Sequence, residues 1–132
     1  MPGGGFFSFD SLRGVWVLLV DGDPRGRQTL VEILSYCGAL VTAMAAADDA
    51  LRVMRQVKPD ILIVAPADED DLAFIRQVRG LKPEDGGVVP AIAISRDGDD
   101  DLARSRGYQA CLPSPLDPWE LCRLVSSMMT AR

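Results

Sequence analysis

The residues of this 132-residue chain that could do chemistry are acids, thiols and hydroxyls, because histidine is absent. Without an imidazole there is no Ser-His-Asp triad and no histidine-bearing zinc site. The three cysteines, Cys37, Cys111 and Cys122, lie far apart and form no C-x-x-C pair. That pattern predicts buried thiols in a reducing compartment rather than a disulfide framework. The acids gather in groups that follow apolar runs: Asp21 and Asp23 around Gly22, then Asp68, Glu69, Asp70 and Asp71, then Asp97, Asp99, Asp100 and Asp101. Carboxylates grouped in this way suit a hard cation or a phosphoryl group. They also suit the first turn of a helix, where the dipole favours negative charge, and both readings stay open for residues 68–71. No P-loop, G-x-S-x-G elbow or G-x-G-x-x-G fingerprint occurs, and the glycines of Asp-Gly-Asp-Pro-Arg-Gly-Arg lack the dinucleotide spacing. The expectation is a protein that is not an enzyme.

These groups can act together only if the fold gathers them. Val15–Val20 (VWVLLV) and Ile61–Val64 (ILIV) are continuous apolar runs, which predict strands covered on both faces. Leu40–Met44, Val89–Ser95 and Tyr108–Leu112 supply three more strands, with Pro90 near the start of its own. Between the strands lie helical patterns. Asp23 is an N-cap with Pro24 at the first helical position, and Leu30, Ile33, Leu34 and Cys37 repeat at helical spacing, so a helix is predicted from Pro24 to Tyr36, stopping at Gly38. Further helices are predicted at Ala47–Val57, Asp70–Gly80 and Asp97–Arg106, with Lys82–Gly87 as a loop. The last helix begins at Asp117 and Pro118, with Glu120 completing a capping arrangement and Leu121, Leu124, Val125 and Met128 forming its stripe. Alternating strands and helices demand a parallel sheet with right-handed crossovers and helices on both faces. Chemistry on such sheets collects at the carboxyl ends of the strands. Those ends are Asp21–Asp23, Ala65–Asp71, Ser95–Arg96 and Pro113–Pro115, whereas Asp60 falls at the opposite end.

Composition narrows the partners. A net charge of −5 and a pI near 4.6 argue against nucleic acid and against anionic membrane surfaces. No apolar run approaches the roughly 18 residues of a membrane span, and the opening residues lack a basic signal-peptide region, so a cytoplasmic protein is expected. Residues 1–12 read as a flexible Gly-rich linker or, through Phe6, Phe7 and Phe9, a docking arm; residues 13–132 read as one domain.

Four landmarks in order, LLVDGDP at 18–24, PDILIVA at 59–65, VPAIAIS at 89–95 and CLPSP at 111–115, resemble the receiver domain of two-component response regulators. The resemblance spans roughly Arg13 to Met129. It implies a flavodoxin-like (CheY-like) (βα)5 three-layer sandwich whose five-stranded parallel sheet has the order 2-1-3-4-5. In that family an acidic pair after strand one holds Mg²⁺, an aspartate ending strand three accepts a phosphoryl group, and a lysine after strand five pairs with its oxygens. A Ser or Thr after strand four bonds the same group, and an aromatic on strand five registers its arrival.

Carried over residue by residue, the pattern is largely missing. The first acid is Asp21, but its partner position holds Gly22; the acceptor position holds Ala65, the lysine position Ser114 and the aromatic position Cys111. Ser95 keeps the hydroxyl, and the segment from Ala65 to Leu72 is shorter than is usual for the family. The resemblance therefore implies a degenerate pseudo-receiver with no cofactor or metal, and a cis bond before Pro115 as in the family. It implies contacts with a signalling kinase, a regulator or a fused domain, and a homodimer through helix four, strand five and helix five. Trp119, Arg104 and Tyr108 are the surface candidates there, although a tryptophan in such a place is also a packing residue. Two alternatives are a small-ligand or ion sensor using the emptied pocket near Asp21, and the receiver segment of a larger hybrid histidine kinase.

Overall fold

In β1 (Trp16–Asp21) successive side chains leave opposite faces of the strand, and both sets are buried. Val17 and Leu19 join one core cluster with Leu30 and Leu34, whereas Leu18 and Val20 join another with Ala50 and Met54. This is why the run has no polar alternation. The computed structural model describes residues 11–66 and 69–130, with 69–72 as backbone only. After β1 come α1 (Pro24–Tyr36), β2 (Leu40–Met44), α2 (Ala47–Gln56), β3 (Ile61–Ala65), α3 (Glu69–Arg79), β4 (Ala91–Ser95), α4 (Asp100–Arg106), β5 (Ala110–Pro113) and α5 (Pro118–Thr130). All strand pairs are parallel and the sheet order is β2-β1-β3-β4-β5, the topology expected from the resemblance.

Two apolar layers clamp the sheet. One face packs Ile61, Ile63, Ile92 and Ile94 against Leu121 and Val125 of α5 together with the α1 leucines. The other packs Leu62, Val64, Ala91 and Ala93 against Phe74, Ile75 and Val78 of α3. Each fully buried aliphatic or aromatic side chain contributes about 1.5–3 kcal/mol, which makes this sandwich the main source of stability.

The helix starts follow the capping chemistry. The Asp23 carboxylate accepts from the backbone N–H groups of Arg25 (3.3 Å) and Gly26 (3.2 Å), and Asp117 accepts from that of Trp119 (2.9 Å).

Several boundaries differ from the sequence expectation. The helix predicted from Asp97 starts at Asp100, because Asp99 is its N-cap, accepting from Leu102 N–H at 3.0 Å. Gly107 closes this helix at φ 115°, and both Gly107 and Tyr108 donate back to the Ala103 carbonyl. Tyr108 is thus part of the helix cap, and β5 begins two residues later than predicted, at Ala110. The fourth strand begins at Ala91 rather than Val89, since Pro90 has no N–H to donate and gives the ladder only its carbonyl, to Leu62 N–H at 2.8 Å. The predicted loop at 82–87 contains a short 3₁₀ turn, Pro83–Asp85. A Cβ on Gly87 would collide with the Leu81 carbonyl, so the turn can close only around glycine. Leu12, placed by sequence in the linker, is fully buried and donates its N–H to the Cys37 carbonyl at 2.8 Å, so the packed structure reaches at least that far.

Candidate functional site

The carboxyl end of the sheet is built around Asp21. It ends β1 and is the one buried charged side chain among the described residues, 7% exposed. Its carboxylate accepts from Asp23 N–H at 2.9 Å, and its carbonyl accepts from the Arg27 guanidinium at 2.9 Å. Gly26 in the first turn of α1 lies so close that an added Cβ would sit 2.7 Å from the other carboxylate oxygen. Sequence reasoning missed Gly26; a glycine inside a helix start was the available signal.

Ala65 ends β3 directly level with Asp21 in the strand register, and its methyl group packs toward the α1–α5 layer. Ser114 follows β5, donates its N–H to the Ser95 carbonyl at 3.0 Å, and is joined to Pro115 by a cis peptide. Asp21, Ala65, Ser95, Ser114 and Pro115 together line a hollow of about 550 Å³. At Gly22 an added Cβ would meet only the Ala45 carbonyl, at an ordinary 3.5 Å, so the backbone there does not require glycine.

Ser95 also belongs to a second arrangement, on the α3–α4 side. Its hydroxyl donates to Asp97 at 2.9 Å and lies 3.2 Å from the Cys111 sulfur. That Ser95 bond, with help from the Asp99 N–H, holds the Asp97 carboxyl below its ordinary value. The Asp100 carboxylate accepts from Cys111 N–H at 2.8 Å and so ties α4 to β5. From sequence, Asp100 was only a first-turn acid. A smaller hollow of about 210 Å³ opens here, lined by Ser95, Asp97, Arg106, Tyr108 and Cys111.

The three surface candidates do not form one surface. Tyr108 is 3% exposed and lies in the α3-side core, where the helix-cap geometry carries it, so its assignment to a contact face is corrected. Arg104 is exposed on α4, in a loose 3.7 Å pair with Asp101. Trp119 is 45% exposed but borders a groove between α1 and α5 together with Tyr36, away from α4.

Asp60 accepts from Trp16 N–H at 2.8 Å at the amino end of the sheet, far from this site. Among the described residues no group of three or more His, Cys, Asp or Glu side chains could hold a metal, and no helix is long and apolar enough to cross a membrane. The acidic run Asp68–Asp71 was the other candidate for cation or phosphoryl chemistry. Its side chains lie outside the described residues.

This topology, with its acid at the end of β1 and its hydroxyl at the end of β4, is that of a receiver domain of two-component signalling. The structural likeness extends to the receiver domain of the sensor histidine kinase PA1611 from Pseudomonas aeruginosa, solved with magnesium in its active-site cleft: 25% identity, TM-score 0.77, covering 89% of this chain and 98% of that one. The receiver domain of a signal transduction histidine kinase from Syntrophus aciditrophicus superposes with TM-score 0.78 at 23% identity, covering 89% and 92%. The chemotaxis response regulator CheY4 of Vibrio cholerae gives TM-score 0.75 at 20% identity, covering 86% and 97%. No protein-family model matches the chain.

More particularly, the chain belongs to the family of an uncharacterised 14.6 kDa protein from the sodA1 3′ region of Leptolyngbya boryana, to which it is 36% identical over 120 residues, covering 87% of this chain and 90% of that protein. It is also 28% identical over 121 residues to the DNA-binding transcriptional regulator NtrC of Proteus hauseri, spanning 24% of that protein's length.

Proposed function

We propose that this receiver domain signals without being phosphorylated, by binding a protein partner: a signalling kinase, a regulator or a domain fused to it. The observation that carries the reading is Ala65, a methyl group at the end of β3 level with the Asp21 carboxylate. Phosphoryl transfer needs a nucleophilic oxygen in line, together with a metal and a cation to take up developing charge. Ala65 offers no oxygen, Ser114 no positive charge and Gly22 no second carboxylate. The acidity of the chain supports a protein partner rather than nucleic acid or an anionic membrane, and its free buried thiols fit a cytoplasmic setting. The α4–β5–α5 face, with Arg104 exposed, is the proposed contact surface and the route to a homodimer. The unit runs from at least Leu12, which is packed in the core, with the Gly-rich segment before it as an arm.

The test is incubation of the protein with Mg²⁺ and acetyl phosphate, followed by intact mass. The expected result is no added phosphoryl group under conditions that label an active receiver run in parallel. Labelling at any residue overturns the proposal.

The 550 Å³ hollow beside Asp21 favours one second reading, a sensor for a small ligand or ion. A compound that raises the melting temperature of the protein but not of Asp21→Ala would establish it over the first reading.

A further inference from the structure

Two cysteines that the site does not use meet on the α1–α5 side of the sheet. Cys37 caps the C-terminus of α1 and Cys122 lies in α5, 85 residues later, yet their sulfurs are 2.8 Å apart. Both are free thiols, and each is only 1% exposed. The backbone holds them in place: Cys37 donates its N–H to Leu34 at 3.2 Å, and its carbonyl accepts from Leu12. A single thiol in a core is an ordinary small apolar side chain. A facing pair is different, because forming the bond, of about 2.05 Å, requires the sulfurs to approach by less than 1 Å. A groove of about 300 Å³ between α1 and α5 leads to the pair, lined by Ile33, Tyr36, Trp119 and both cysteines. Tyr36 and Trp119 at its rim are 64% and 45% exposed, so the groove opens to solvent.

We propose that Cys37 and Cys122 form a reversible redox-modification site whose oxidant is a hydroperoxide entering by this groove. Burial, then the neighbouring Cys37, push the Cys122 thiol up to about 12, and the proposal assigns Cys122 the second, resolving step. The Cys37 sulfur, its proton released to water, attacks a peroxide oxygen. The O–O bond breaks, giving a sulfenic acid and, with hydrogen peroxide, one water. The Cys122 sulfur then attacks the Cys37 sulfur as its own proton leaves. The S–O bond breaks, the S–S bond forms, and a second water departs. Two thiols have lost two electrons and two protons, and the peroxide has become two waters. An external dithiol reverses the reaction by exchange. The bridge would join the end of α1 to α5 and close the floor of the groove.

The experiment treats the full chain with hydrogen peroxide, unfolds it, alkylates the remaining thiols and maps the peptides by mass. The expected product has lost two hydrogens, carries a Cys37–Cys122 linked peptide, has Cys111 alkylated, and returns to three alkylated cysteines after dithiothreitol. Cys122→Ser should abolish the linked peptide. Should that variant fail to fold, the map of the unaltered chain decides by itself. Three alkylated cysteines after treatment, a bridge that includes Cys111, or oxidation to sulfinate without a bridge each overturns the proposal. Phosphoryl acceptance plays no part in this readout.

Discussion

The two ends of the same sheet are held in opposite ways. At the amino end Arg79, closing α3, donates to the carbonyls of Gly107 (2.9 Å), Gly87 (3.1 Å) and Val89 (2.7 Å) and to the Gln109 side chain (3.2 Å). Gln109 in turn accepts from Ala91 N–H at 2.7 Å, so one guanidinium organises the entry into β4 and β5. Burial lowers the pKa of Arg79 from its ordinary value, but an arginine begins so high that it stays charged. At the carboxyl end positions 22, 65 and 114 carry small side chains and two hollows remain. Ala65 and Gly22 bring no polar side chain, and the Ser95 hydroxyl is shared between an acid and a thiol. The contrast predicts that stability rests more on the Arg79 network at the amino end than on Gly22 and Ser114 at the carboxyl end.

Three measurements can break or sharpen that contrast. The largest effect belongs to Arg79→Ala, which leaves three partly buried carbonyls without their donor. The expected loss is about 2–4 kcal/mol in urea unfolding, and a loss below about 1 kcal/mol would show that the amino end is not the anchor. Next, Gly22→Ala and Ser114→Ala at the other end should each shift stability by no more than about 0.5 kcal/mol, because neither removes a side-chain contact on which the fold relies. A cost comparable to that of Arg79→Ala would erase the contrast.

The smallest effect is electrostatic. Asp97 is held below its ordinary value chiefly by the Ser95 hydroxyl, so its stabilising contribution is present above the unfolded-state value and fades as pH falls through the folded one. Asp97 is exposed, so unfolding would barely register this, and an NMR titration of its carboxyl carbon is the proper measurement. Ser95→Ala should move that titration back upward. An unmoved titration would mean that the hydroxyl does not hold the acid.

Much of this was legible in the chain itself. The runs VWVLLV and ILIV are buried on alternate sides by two different helix layers, which is why they carry no polar period. Asp23 and Asp117 cap helices as their positions predict, because capping is decided within three or four residues. The residue types at 21, 22, 65, 95 and 114 could be read and assigned to the carboxyl end of the sheet, since a parallel α/β order dictates which loops share an end.

What the tertiary structure alone decided concerns side chains distant in sequence. Tyr108 was misread because Gly107 draws it into the helix cap, carrying its ring into the core instead of onto a surface strand. Trp119 borders α1 and not α4, since the rotation of α5 against the sheet is set by where Leu121 and Val125 are buried. The Arg79 network, the Asp100–Cys111 tie and the meeting of Cys37 with Cys122 each join residues that no local period relates. Hydrophobic period and capping are short-range and survive in a string of letters. Which two side chains finally touch depends on packing both layers against the sheet at once, and that exists only in the folded chain.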